Sequence, residues 1–141
     1  MTEPVWLACR ADDAAFDGQA AAKLGDFADH PWVAPTAEFT CFEMLERACG
    51  LAGFKPRVVA ESMDYSVQLE LVAAGAGVAL VPALTVQTVP QDVVLRHLVD
   101  PLERSLFVAA RTATFADPGA QEIMRRLATI ALSVGMRAGP T

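Results

Sequence analysis

Positive charge, histidine and long apolar runs are all scarce in this chain. Its 11 Lys and Arg stand against 17 Asp and Glu, for a formal charge of −6. Tight phosphate binding relies on clustered cations that displace counterions, so the chain by itself is not expected to contact nucleic acid. No apolar run approaches the roughly 18 to 20 residues that cross a bilayer, which predicts a soluble domain with no membrane partner. Glu3 stands where a secretory leader carries basic residues, and the apolar stretch Val5 to Cys9 is too short for a leader core, so a cytoplasmic location is expected. The two histidines, His30 and His97, lie far apart without a second ligand at helical spacing, and no metal site is expected. Cys9, Cys41 and Cys49 form no CxxC pair, and their odd number argues for reduced thiols rather than a disulfide framework. A Walker loop, a GxSxG elbow and a GxGxxG turn are all missing. Gly75-Ala76-Gly77 follows a helix and precedes a strand, the reverse of the dinucleotide order, so no cofactor is expected.

What the chain does have is apolar residues spread along its length, 53% of 141 residues, enough to build the core of one domain. Val5 to Cys9, Trp32 to Ala34, Arg57 to Ala60 and Val78 to Val81 read as strands. Val93 to Leu98 and Ser105 to Ala110 read as two more, the former an edge strand because it carries Arg96 and His97. A long loop runs from Arg10 through Gly18, with a helical turn near Leu24 to Phe27. Thr40 and Glu43 fit a capping box for a helix starting near Cys41, with a buried stripe of Cys41, Leu45, Ala48 and Ala52 and Gly53 at its end. Ser62 or Asp64 caps a second helix that buries Tyr65, Leu69 and Val72 and turns Gln68 and Glu70 outward. Asp117-Pro118 opens a terminal helix along Ile123, Leu127, Ile130 and Val134, before a frayed tail from Arg137 to Thr141. Glu61 to Pro82 is thus a strand, helix, glycine turn and strand, a βαβ unit within an α/β fold.

Cys41, in the first turn of a helix, is the one candidate nucleophile, but no base accompanies it in sequence. Packing or pocket lining is the competing reading. The loops Pro35 to Thr40 and Glu61 to Asp64 each join a strand to a helix N-terminus, and two such corners can face one ligand crevice. Two ordinary capped turns would give the same pattern.

Four stretches together carry a family likeness. They are Asp26-Phe27-Ala28-Asp29-His30-Pro31-Trp32-Val33, then Ala48 to Pro56 (ACGLAGFKP), Ala60-Glu61-Ser62-Met63, and Leu71 to Pro82 (LVAAGAGVALVP). In this order they resemble the effector-binding domain of LysR-type transcriptional regulators, from about Glu3 to about Val134. The resemblance implies one periplasmic-binding-protein-like lobe with a mixed, mostly parallel sheet flanked by helices. It implies a second lobe over about residues 10–104, crossover strands near 3–9 and 105–110, and a C-terminal helix over about 117–136. The facing lobe and the DNA-binding helix-turn-helix have no counterpart in these residues. Residue by residue, it places Pro35, Thr36, Phe39, Thr40, Glu61, Ser62 and Met63 around a small-molecule effector. Thr36, Thr40 and Ser62 would donate hydrogen bonds, and Phe39 and Met63 would cover an apolar body. Many family effectors are carboxylates, so either Glu38 points to solvent or this effector is not an acid. The implied function is effector sensing in a transcriptional regulator, without enzymatic activity. A free-standing ligand-binding or titrating protein is the alternative from another class, and a cysteine enzyme the third. Apolar surface left uncovered on the first or terminal helix would drive homo-oligomerisation.

Overall fold

Along the first strand, β1 (Thr2–Arg10), Val5, Leu7 and Cys9 face one way and Trp6 and Ala8 the other, and all five are buried. The two sets feed separate apolar clusters, one on each side of the strand. The alternation of a strand with both faces covered therefore puts β1 at the centre of the molecule. The computed structural model describes residues 1–15 and 21–135. The loop around Gly18 and the tail from Arg137 lie outside the described residues.

Six further strands follow in sequence: β2 (Ala21–Ala22), β3 (Pro31–Ala34), β4 (Arg57–Glu61), β5 (Ala79–Pro82), β6 (Val93–Leu98) and β7 (Leu102–Ser105). Antiparallel to β1, β5 lies along one edge, while β6 and then β7 follow one another along the other. β2 runs parallel to β6, and β3 runs parallel to β4. The Val33 N–H donates to the Val78 carbonyl at 2.8 Å, and the Val78 N–H donates to the Pro31 carbonyl at 2.9 Å, joining β3 in parallel to the start of β5. Only β1 opposes the common direction, which makes the sheet mixed and mostly parallel in strand sense.

Two strand expectations are corrected. The strand expected at Ser105 to Ala110 lies instead at Leu102–Ser105, because its ladder runs out where its partner begins: the Leu106 N–H reaches the Met1 carbonyl at 2.8 Å. β6 is not an edge, since it sits between β1 and β2, and Arg96 is buried with its guanidinium directed at the Ala21 carbonyl.

Helix α1 (Thr40–Leu51) has Phe39 at its N-cap and no side-chain cap. Thr40 already lies inside the first turn, so its hydroxyl is not at the cap position and the expected capping box does not form. The buried stripe is narrower than expected, Leu45 and Cys49, while Ala52 is exposed. The end follows expectation: Gly53 sits at φ 89°, the Gly53 N–H reaches the Gly50 carbonyl, and the Phe54 N–H reaches that of Cys49. This is a Schellman cap, which favours glycine in the left-handed position. Gly75 (φ 81°) closes helix α2 (Tyr65–Ala73) in the same way.

Of the two cap candidates for α2, Asp64 is the one used, its carboxylate accepting the Ser66 N–H at 2.8 Å. Gln68 is turned inward, contrary to expectation, and is fully buried. Its Nε2 donates to the Ser62 carbonyl at 2.7 Å, a partner that sequence periodicity does not reveal. A short helix, α3 (Thr112–Phe115), precedes α4 (Pro118–Gly135), whose first turn is capped by Asp117 accepting the Ala120 N–H. Ile123, Leu127, Ile130 and Leu132 on α4 are exposed, as are Phe107 and Val108.

Candidate functional site

β3 and β4 end side by side, with Ala34 in register with Glu61 and the Ser62 N–H donating to the Ala34 carbonyl at 3.0 Å. The two strand-to-helix corners therefore lie next to one another, and α1 and α2 leave from adjacent points. All seven sequence-predicted residues fall on this pair of corners. Pro35 is buried, Thr36 is half-buried with its hydroxyl oxygen enclosed and unpartnered, and Phe39 and Thr40 are exposed at the start of α1. On the second corner Glu61 and Met63 are exposed, and the half-buried Ser62 hydroxyl accepts the Asp64 N–H at 3.2 Å. Phe39 and Met63, 46% and 43% exposed, present two large apolar side chains to the open side.

A buried polar cluster beside these corners was not foreseen. Glu3, at the start of β1, is almost fully enclosed, and its carboxylate accepts from Arg104 Nε at 2.7 Å and from the Leu84 N–H at 2.7 Å. Arg104, on β7, also directs Nη1 toward Cys41 Sγ at 3.7 Å, so the cluster reaches the first turn of α1. Burial works against the Arg104 charge, but hydrogen bonds to Glu3 and Cys41 outweigh it and hold the guanidinium above its ordinary range. Tyr65, in the first turn of α2, is only 9% exposed, and its hydroxyl is enclosed beside the Cys41 sulfur. Burial, and then the neighbouring Cys41 sulfur, raise the phenol far above its ordinary value and keep it neutral. One sequence signal does point to Glu3: it occupies the same inward phase as Val5, Leu7 and Cys9.

Cys41 is partly accessible, whereas Cys9 and Cys49 are fully buried. Burial is the main cause that pushes their thiols up, to about 11 and about 12. The histidines are engaged elsewhere, His30 with Asp13 at 3.1 Å and with the Phe27 ring, and His97 edge-on to Trp6. Among the described residues no three His, Cys, Asp or Glu side chains group as metal ligands. A groove of about 410 Å³ starts at Thr40 and runs between Met44, Ala48 and Leu51 of α1 and the Pro101 to Glu103 segment.

The model of the LysR substrate binding domain matches residues 1–131. The chain belongs to that family. Of curated proteins, it is similar to the malonate utilization transcriptional regulator of Klebsiella pneumoniae, 31% identical over 101 residues, or 72% of this chain. The match covers 32% of that regulator, so the chain spans about a third of the length of the relative. Among solved structures, the C-terminal domain of a LysR family regulator from Rhodococcus sp. RHA1 superposes with a TM-score of 0.74 at 19% identity, over 91% of this chain and 64% of that one. The effector binding domain of QuiR in complex with shikimate gives a TM-score of 0.71 at 13% identity, over 96% and 63%. At these identities the superpositions show the fold alone, that of LysR effector-binding domains, periplasmic-binding-protein-like and mixed α/β. The family is one of regulator effector-binding domains rather than of enzymes. No helix among the described residues is long and apolar enough to cross a membrane.

Proposed function

We propose that this chain is the effector-sensing part of a LysR-type transcriptional regulator and that a small molecule docks against the paired corners at Pro35, Thr36, Phe39, Thr40, Glu61, Ser62 and Met63. The observation that carries the reading is the Thr36 hydroxyl, enclosed and without a partner on the first of two adjacent strand-to-helix corners. A buried hydroxyl left unpaired costs about 1–3 kcal/mol, which a ligand group restores. Phe39 and Met63 would cover the ligand body. The shikimate complex of QuiR supports a metabolite in this class of domain.

The same residues support a non-enzymatic role. Beside Cys41 stand a guanidinium and a phenol held in its neutral form, neither of which is a general base at neutral pH. With a charge of −6, the chain reaches DNA only through a separate domain. The apolar stripe on α4, together with Phe107 and Val108, docks a second copy and makes the protein an oligomer. A thermal-shift screen of metabolites on wild-type protein and on Thr36→Val tests the sensing role, because binding to the native state raises the melting temperature. A compound that shifts the wild type and loses its effect in Thr36→Val is expected. An equal shift in both proteins would place the ligand elsewhere.

A further inference from the structure

Side chains from three separate elements meet at one sulfur. Cys41, in the first turn of α1, is partly accessible. Arg104, on β7, directs Nη1 to its Sγ at 3.7 Å, and Tyr65, in the first turn of α2, has its hydroxyl enclosed beside the same atom. Arg104 is aimed by Glu3, whose carboxylate takes Nε and Nη2 and is itself fixed by the Leu84 N–H. A guanidinium is a rigid planar fork of donors with no acceptor, so tying two of its nitrogens to Glu3 sets the direction of the third.

A thiol is a poor match for these donors. Sulfur accepts hydrogen bonds only weakly, and Tyr65 Oη has no oxygen or nitrogen partner among the described residues. An oxygen atom bonded to Sγ is a far stronger acceptor, and its bond from Arg104 is charge-assisted. Cys9 and Cys49 are fully enclosed, and a buried thiol is inert toward an oxidant in solvent.

We infer that Cys41 is a modification site, oxidised by hydroperoxides to sulfenic acid, with Arg104 and Tyr65 receiving the added oxygen. The sulfur attacks one peroxide oxygen, the S–O bond forms as the O–O bond breaks, and the sulfur gives up two electrons. The departing oxygen takes the thiol proton and leaves as water or an alcohol. Neither neighbour acts as a base; both donate toward the oxygen atoms as negative charge develops on them. Cys41 follows Thr40 and Tyr65 follows Asp64, so the added oxygen ties together the first turns of the two helices that leave the paired corners. This site stands independently of the effector assignment.

The test treats the whole chain with hydrogen peroxide and reads sulfenic acid by dimedone trapping and peptide mass spectrometry, with free cysteine in the same tube as the reference. Rates with Ellman's reagent on the same proteins correct for access to the sulfur. Trapping at Cys41 and not at Cys9 or Cys49 is expected, faster than free cysteine. The ratio of peroxide rate to Ellman rate is expected to fall about threefold to tenfold in Tyr65→Phe and in Arg104→Lys, the effect of one hydrogen bond apiece. A Cys41 no faster than free cysteine, or a ratio unchanged in both variants, would overturn the assignment and leave the sensing role standing.

Discussion

Gly77 is where this fold is least tolerant of a single added carbon. A Cβ built there lies 2.3 Å from the Pro31 carbonyl oxygen and 2.7 Å from its carbon, backbone atoms rather than a flexible side chain. Ordinary van der Waals contact begins near 3.4 Å, so β3 must move by about 1 Å from the start of β5. That movement stretches the two hydrogen bonds between Val78 and Pro31 or Val33, each near 2.9 Å and both buried among Trp32, Val33 and Val78. Losing two such bonds costs about 1–3 kcal/mol, and forcing extra volume into a packed core costs about 1–3 more. Gly77→Ala is therefore expected to lose about 3–5 kcal/mol in urea denaturation, a large part of the 5–15 kcal/mol typical of a domain. Gly50→Ala is the control: it lies within α1, nothing stands within 4 Å of its added Cβ, and it is expected to gain about 0.5–1 kcal/mol. A Gly77→Ala protein within about 1 kcal/mol of wild type would refute the close approach of β3 and β5.

Glu3→Gln is expected to cost about 2–3 kcal/mol by calorimetry, less than a fully buried pair because Arg104 keeps a quarter of its side chain exposed. Cys9 and Cys49 keep their protons in the folded chain to about pH 11 and about 12, while unfolded thiols release theirs near 9.0. Between those values the unfolded state binds fewer protons, so stability should fall from about pH 9 upward; a flat denaturation midpoint across that range would contradict the burial of both thiols. At neutral pH, Ellman's reagent should label Cys41 first and reach the other two only on unfolding. Leu127→Glu/Ile130→Glu, on the exposed stripe of α4, should convert an oligomer to monomer in sedimentation; an unchanged distribution would remove that stripe from the interface.

Much of this fold was legible because apolar spacing and glycine placement are local signals. The runs at Val5, Trp32, Arg57, Val78 and Val93 all became strands, and Gly53 and Gly75 sit where helix ends call for a left-handed residue. What escaped depends on contacts between distant residues. Gln68 reads as an outward position until the Ser62 carbonyl lies beneath it. Arg96 reads as an edge residue until β2 folds across it. The Thr40 capping box looked complete in sequence, but the helix began one residue too early for it. The seven residues expected to face an effector lie on two adjacent corners, a matter of fold alone, while the Glu3, Arg104, Cys41 and Tyr65 cluster joins positions up to 101 residues apart and has no short-range signature. Gly77 was expected as a turn former and is instead a point of close backbone approach.

The sensing role is tested most directly by the amide spectrum of the protein with a stabilising metabolite from the thermal screen. Saturable shifts confined to residues 35–41 and 61–66, and absent in Thr36→Val, are expected. Shifts confined to the groove between α1 and residues 101–103, or to α4, would contradict it.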